Sequence, residues 1–177
     1  MQDYTLKPLF TAEQIRQKTI DLSRELSADY AHTCPLIIGV LKGSFVFLAD
    51  IIRHLTMDVT IDFVQISSYG PSQISSENCI LVKDITSEVS GRDVLIVEDI
   101  IDTGYTVHFL IERLRARNPR SIKTCSLIDK KPARKQAVTI DYCGFSIDDV
   151  FIVGFGLDYD ERFRALPAIY ELHDGNI

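Results

Sequence analysis

The sequence predicts an α/β fold with a central, mostly parallel sheet flanked by helices. Three observations carry that reading. Short continuous apolar runs, LIIGVL at 36–41 and VLIV at 94–97, read as strands buried on both faces. Between such runs lie segments whose apolar residues recur at helical spacing, and strands alternating with helices favour parallel pairing. The 177 residues suffice for one domain with a full core, so 1–177 is read as a single domain.

The elements follow in order. Thr11 with Gln14 forms a capping-box pattern, and Ile15, Thr19, Leu22, Leu26 and Tyr30 continue a helical stripe that Pro35 closes. After the strand at 36–41, Lys42, Gly43 and Ser44 turn the chain into a helix whose spacing puts Phe45, Leu48, Ile52 and Leu55 on one face. VTIDFVQIS (59–67) reads as a strand. SYGPSQISSEN (68–78) is polar and carries Gly and Pro, which predicts an exposed, mobile loop. CILVKDI (79–85) is a further strand, Gly91 marks a turn, and 94–97 is the most buried strand. Past Gly104, the residues Val107, Leu110, Ile111 and Leu114 predict a helix that closes before Asn118-Pro119. TCSLI (124–128) is a strand, KKPARKQ (130–136) a basic connection, and VFIVGF (150–155) the last strong strand. Ligands of such sheets sit at the carboxyl ends of strands. That rule points to Lys42, Ser68-Tyr69, Glu98 to Thr106, Lys130 and Asp158.

Bulk properties narrow the class. An apolar content of 46% and a charged content of 25% are those of a soluble globular chain. A net charge of −6 weighs against a nucleic-acid face, and no apolar run approaches the ~20 residues that span a bilayer. Cys34, Cys79, Cys125 and Cys143 form no CxxC pair, and the start, MQDYTLKPLF, lacks the pattern of a secretory signal. The expectation is a cytoplasmic chain with reduced thiols. The four histidines have no ligand-like spacing, and no Gly-x-Ser-x-Gly elbow suggests a serine hydrolase.

The stretch VLIVEDIIDTGYT (94–106) carries the chemistry. Gly104 permits a tight turn whose N–H groups converge on one anion. Thr103 and Thr106 add hydroxyls, and the following helix presents its positive end, so a phosphate suits the turn. Helix capping by Asp102 or Thr103 is the plain structural alternative. Glu98 and Asp99 would repel a phosphate unless they faced sugar hydroxyls or a divalent cation. The local requirement is a phosphate, a polyol and Mg²⁺, which a ribose 5-phosphate meets.

The whole stretch resembles the signature of phosphoribosyltransferases that use phosphoribosyl pyrophosphate (PRPP): hydrophobic strand, two acids, two aliphatics, Asp-Thr-Gly, any residue, Thr. VLKGS (40–44), SSYG (67–70), SLIDKKP (126–132) and DVFIVGFGLDYDERFR (149–164) resemble its hypoxanthine-guanine branch, so the likeness runs from about Leu36 to Arg164. The resemblance implies the type I phosphoribosyltransferase fold, with a core of about 35–165 and a small hood from the N- and C-terminal parts. It implies transfer of phosphoribose from PRPP to hypoxanthine or guanine, with Mg²⁺, in a homodimer or homotetramer.

Residue by residue, the resemblance gives Lys42 and Gly43 to pyrophosphate, with Arg164. Ser68 and Tyr69 belong to a loop that closes over the site. Thr103, Gly104, Tyr105 and Thr106 hold the 5′-phosphate. Glu98 and Asp99 hold ribose hydroxyls and metal, and Asp102 is the acid/base toward purine N7. Lys130 reads the 6-oxo group, with Lys131 beside it, and a lysine offers donors only, which disfavours a 6-amino group. Phe151 stacks on the purine, Ile152 reads its edge through the backbone, and Asp158 stands near a second metal and the base. Tyr105 departs from the family, where a lysine or arginine is common. A PRPP-sensing regulator that binds nucleic acid is the rival of another class, and an adenine, orotate or uracil transferase conflicts with Lys130.

Overall fold

The computed structural model describes residues 4–68 and 79–174. Among them, nine strands and three α-helices run in the order β1 (Tyr4–Phe10), α1 (Ala12–Asp29), β2 (Leu36–Leu41), α2 (Phe45–Ile52), β3 (Thr60–Ser68), β4 (Cys79–Lys83), β5 (Asp93–Ile101), α3 (Tyr105–Arg115), β6 (Ser121–Asp129), β7 (Tyr142–Ser146), β8 (Ile152–Val153) and β9 (Ile169–Asp174). A six-stranded sheet has the order β4-β3-β2-β5-β6-β7. Every pairing in it is parallel except β3 with β4. A second sheet, β1-β9-β8, is antiparallel and joins the two ends of the chain, which is the hood that the resemblance implies.

The apolar runs are explained by burial on both faces. Ile37, Leu95 and Val97 pack with Ile15, Leu22 and Leu26 of α1 and with Phe47, Leu48 and Ile51 of α2. Leu36, Ile38, Val40, Val94 and Ile96 face the other way, against Leu110 and Leu114 of α3. Residues of β2 and β5 thus alternate between two cores, as strand geometry requires, and neither face can be polar. Helix α1 begins as its capping box predicts. The Thr11 hydroxyl accepts from Gln14 N–H at 3.2 Å, and the Gln14 side chain accepts from Thr11 N–H at 2.9 Å.

Three expectations change. Helix α2 buries Phe47, Leu48 and Ile51, while Phe45 is 46% exposed and Leu55 lies beyond the helix. A short helix that is apolar nearly all round does not reveal its inner face by spacing. The stretch 150–155 is not one strong strand, and β8 covers only Ile152 and Val153. These two pair with β9 in the hood, and the ladder ends because Gly154, Phe155 and Gly156 all take positive φ, with Gly154 bridging to Leu157 instead. Strand β5 runs on to Ile101, which places Glu98 and Asp99 inside the strand instead of after it.

Asp62 on β3 pins the connection between β4 and β5. Its carboxylate accepts from the N–H groups of Phe63, Thr86 and Ser87 at 2.7–2.8 Å. Burial alone would raise this carboxyl, but hydrogen bonds from Ser87, Phe63 and Thr86 outweigh it and hold it far below the usual carboxylate range. A depressed folded-state pKa stabilises the fold above the unfolded value of about 3.9, and that contribution is lost as pH falls through the folded value. Asp62→Asn should therefore lower stability by about 1–3 kcal/mol near neutral pH. In urea melts the gap to the parent should close as pH falls from about 5 toward about 2, and a gap independent of pH would contradict the assignment.

Candidate active site

The order of the parallel sheet reverses at β2: β3 lies on one side of it and β5, the next parallel strand in the chain, on the other. Crevices of open α/β sheets form at such a switch point, beyond the carboxyl ends of the two strands. Here β2 stays paired with β5 only as far as Val97, while β5 continues beside β6 to Ile101. The gap left on the β2 side of β5 is filled by the turn at Lys42 and Gly43, whose Leu41–Lys42 peptide is cis. A Cβ on Gly43 would lie 1.7 Å from Asp99 Oδ2, so the backbone of this turn rests directly on the Asp99 carboxylate.

Asp99 and Glu98 are both buried. Burial pushes the Asp99 carboxyl up to about 6, against backbone hydrogen bonds and the pull of Arg164. Burial, the Asp99 charge and a hydrogen bond shared with Asp99 raise Glu98 well above its ordinary value. Two carboxyls buried side by side resist carrying charge together, and a cation or hydroxyl donors placed at Asp99 would favour its charged form. Asp99 lines the cleft, and Glu98, buried next to it in β5, shares a hydrogen bond with it.

Past Ile101 the chain turns through Asp102, Thr103 and Gly104 into α3. Gly104 takes φ 88° as the N-cap, in the left-handed region that a side chain resists, and no side chain caps the helix. Capping by Asp102 or Thr103 is therefore ruled out. The first helical hydrogen bond runs from His108 N–H to Gly104 O at 3.0 Å, so the amides of Tyr105, Thr106 and Val107 precede it. A helix start whose first amides are uncapped can receive an anion, and position 105 would need only its N–H for that purpose.

The opposite wall comes from the end of β6 and from the chain around β8. Lys130 is buried, and its Nζ lies 2.8 Å from Asp149 Oδ1 and 3.5 Å from Asp102 Oδ2. Asp102 Oδ1 is enclosed and makes no hydrogen bond. Phe151 is 51% exposed at the cleft, held edge-on by Tyr159 at 5.5 Å between ring centres. Arg164 donates to Gly156 O at 2.8 Å and pairs with Asp158 Oδ1 at 2.9 Å and Glu161 at 3.3 Å, while its Nε is buried without a partner. Lys42 reaches Glu161 at 3.0 Å, a surface pair of little energetic weight.

Lys42, Gly43, Asp99 and Asp102 thus share one cleft of about 300 Å³ with Lys130, Phe151, Ile152, Asp158 and Arg164. Thr103, Gly104, Tyr105 and Thr106 form the adjoining turn. Ser68 ends β3, and Tyr69, with the rest of the loop expected at 68–78, lies outside the described residues. The sequence reading missed Asp149, Glu161 and Arg134. The pair Asp148-Asp149 ahead of an aromatic strand was the available signal for the first; nothing in KKPARKQ singled out Arg134.

Among the described residues no three His, Cys, Asp or Glu side chains are gathered to hold a metal. Asp99, Asp102 and Asp158 are the carboxylates that line the cleft, and Asp99 and Asp158 are the candidate metal donors among them. Both Asp158 oxygens already serve local partners, Arg164 and the Glu161 N–H at 2.9 Å. This set does not cage an ion, but it fits Mg²⁺ that keeps water and phosphate oxygens as its other ligands.

Comparison with known proteins agrees with this geometry. The phosphoribosyl transferase domain model matches residues 7–160. A hypoxanthine-guanine phosphoribosyltransferase of Bacillus subtilis (strain 168) is 47% identical over 163 residues, covering 92% of this chain and 91% of that protein. One from Aquifex aeolicus (strain VF5) is 39% identical over 170 residues, covering 96% of each. The crystal structure of a hypoxanthine-guanine phosphoribosyltransferase from Bacillus anthracis str. 'Ames Ancestor' superposes with a TM-score of 0.90 at 42% identity, covering 97% of this chain and all of that one.

Proposed function

This chain belongs to the phosphoribosyl transferase family, in its hypoxanthine-guanine branch, and from that membership we propose how its cleft works. The reaction is purine salvage: PRPP and hypoxanthine or guanine give the nucleoside 5′-monophosphate and pyrophosphate. The observation that carries it is the pairing of Asp102 with Lys130 beside Phe151. A half-exposed carboxylate, a buried ammonium and an exposed aromatic face meet in one cleft. Those are a proton acceptor, a donor for a 6-oxo group and a stacking surface, which is what a 6-oxopurine needs.

The C1′–O bond to pyrophosphate breaks, and its electron pair leaves with the pyrophosphate. Purine N9 forms the new bond to C1′ and the N7 proton passes to Asp102. Amides at the start of α3 hold the 5′-phosphate, with the Thr103 and Thr106 hydroxyls. Arg164 and the turn at Lys42-Gly43 receive the pyrophosphate. Asp99 and Asp158 would hold Mg²⁺, whose charge offsets that growing on the leaving group. The sugar passes through an oxocarbenium-like cation that water would intercept. On the family resemblance, shielding it from water falls to Ser68 at the end of β3 and to Tyr69, which lies outside the described residues.

We also assign the reaction to the cytoplasm, where four unbridged cysteines stay reduced, and to a homodimer or homotetramer acting without nucleic acid. No helix among the described residues is long and apolar enough to cross a membrane. Exposed Phe45, Ile61, Ile80 and Val82 are apolar surface available for self-association.

Lys130→Gln tests the base assignment. Glutamine can accept as well as donate, so the variant should admit adenine and narrow the preference for hypoxanthine by roughly 10-fold or more. Ratios of kcat/KM for the two bases measure this. An unchanged preference would transfer the role to another group.

A further inference from the structure

The basic connection after Lys130 contributes no residue to the cleft's lining described above, yet it is fastened to both halves of the cleft. One 3-10 turn, Lys131–Ala133, delivers Arg134 beneath the phosphate turn. Its side chain is only 15% exposed. Nε donates to the Asp102 carbonyl at 2.9 Å, and one terminal nitrogen donates to the Ile101 carbonyl at 3.1 Å and pairs with the Asp129 carboxylate. The next two amides continue the grip, with Lys135 and Gln136 N–H both donating to Thr103 O, at 3.0 and 2.9 Å. Lys130 N–H donates to the same Ile101 carbonyl at 3.0 Å, and Ala133 N–H donates to Lys130 O at 3.0 Å.

Ile101 O therefore serves both Lys130 and Arg134, and consecutive carbonyls from 101 to 103 are all held by the segment 130–136. A planar guanidinium can satisfy three acceptors in fixed directions, which an ammonium cannot. Burying a cation is costly unless it is paired, and Asp129, itself 15% exposed, supplies the partner.

We infer that Arg134 is a positioning residue for the transfer: it locks the backbone of Asp102 to the segment that carries Lys130, and so sets the proton acceptor against the 6-oxo donor. The inference rests on the phosphoribosyl-transfer reading. It predicts that losing the fork damages turnover and base choice together, because both groups shift relative to one another.

The test uses Arg134→Lys and Asp129→Asn beside the parent. Steady-state kcat, KM for PRPP and for hypoxanthine, the hypoxanthine-to-adenine ratio and the melting midpoint are measured for each. For Arg134→Lys, kcat per active site should fall roughly 10- to 100-fold and the base ratio should narrow, since sub-ångström placement governs both. Asp129→Asn keeps the grip on both carbonyls and should retain kcat and base ratio within about threefold. Arg134→Lys with a lower melting midpoint but unchanged kcat per site and base ratio would reduce Arg134 to a structural role and overturn the inference. Equal losses in both variants would place the effect in the ion pair and overturn it too. A parent protein that turns over no 6-oxopurine would overturn the functional reading first, and this inference with it; a parent that does so beside an unaffected Arg134→Lys overturns the inference alone.

Discussion

Gly43→Ala should cost roughly 100-fold or more in kcat/KM for PRPP while leaving the fold intact. The added methyl would sit 1.7 Å from Asp99 Oδ2 and 2.5 Å from its Cγ, so one of the two groups must leave. The turn has little room to yield. Ser44 Oγ donates back to Val40 O at 2.7 Å, and the chain at Gly156 lies so close that a Cβ there would meet Gly43 O at 2.2 Å. Displacement therefore falls on the Asp99 carboxylate, the group assigned to ribose and metal. Thermal melts beside steady-state kinetics check this. Near-parental kcat/KM would mean that the close packing of this turn on Asp99 is dispensable.

Asp102→Asn is expected to lower kcat by about 10²–10⁴ and to leave PRPP affinity almost unchanged. The substitution keeps shape and one acceptor oxygen. It replaces the proton acceptor by an amide that competes with Lys130, whose Nζ stands 3.5 Å from Oδ2. PRPP titration and single-turnover rates separate the two effects. A parallel loss of affinity and rate would make Asp102 a binding residue.

Much of the fold could be read before the structure, and particular residues explain why. Strand β2 shares its bounds with the run LIIGVL, since a strand buried on both faces leaves no polar position to blur its edges. The capping box at Thr11 and the turn at Gly91, which takes φ 68°, are local signals that need no tertiary partner. The hood is different. Strands β1 and β9 pair Tyr4 with Asp174 and Thr5 with His173 across almost the whole chain, and Pro8 sits beside an irregularity in that ladder. Neither segment alternates cleanly, so each gains its meaning only from the other.

The site divides in the same way. VLIVEDIIDTGYT marks the carboxylates and the phosphate turn because strand, acids and turn are contiguous. Contiguity does not tell that the turn at Gly43 rests on the Asp99 carboxylate, which depends on where β2 stops pairing with β5. Asp149 and Arg134 act through Lys130 and through main-chain carbonyls, contacts that leave no spacing rule in a single sequence.

The most direct measurement is turnover itself, with PRPP and Mg²⁺ and with hypoxanthine, guanine, xanthine, adenine and uracil offered separately. Nucleotide and pyrophosphate should appear in equal amounts with 6-oxopurines and not with adenine or uracil. PRPP binding without turnover of any base would contradict the account and leave a PRPP-sensing regulator as the reading to pursue.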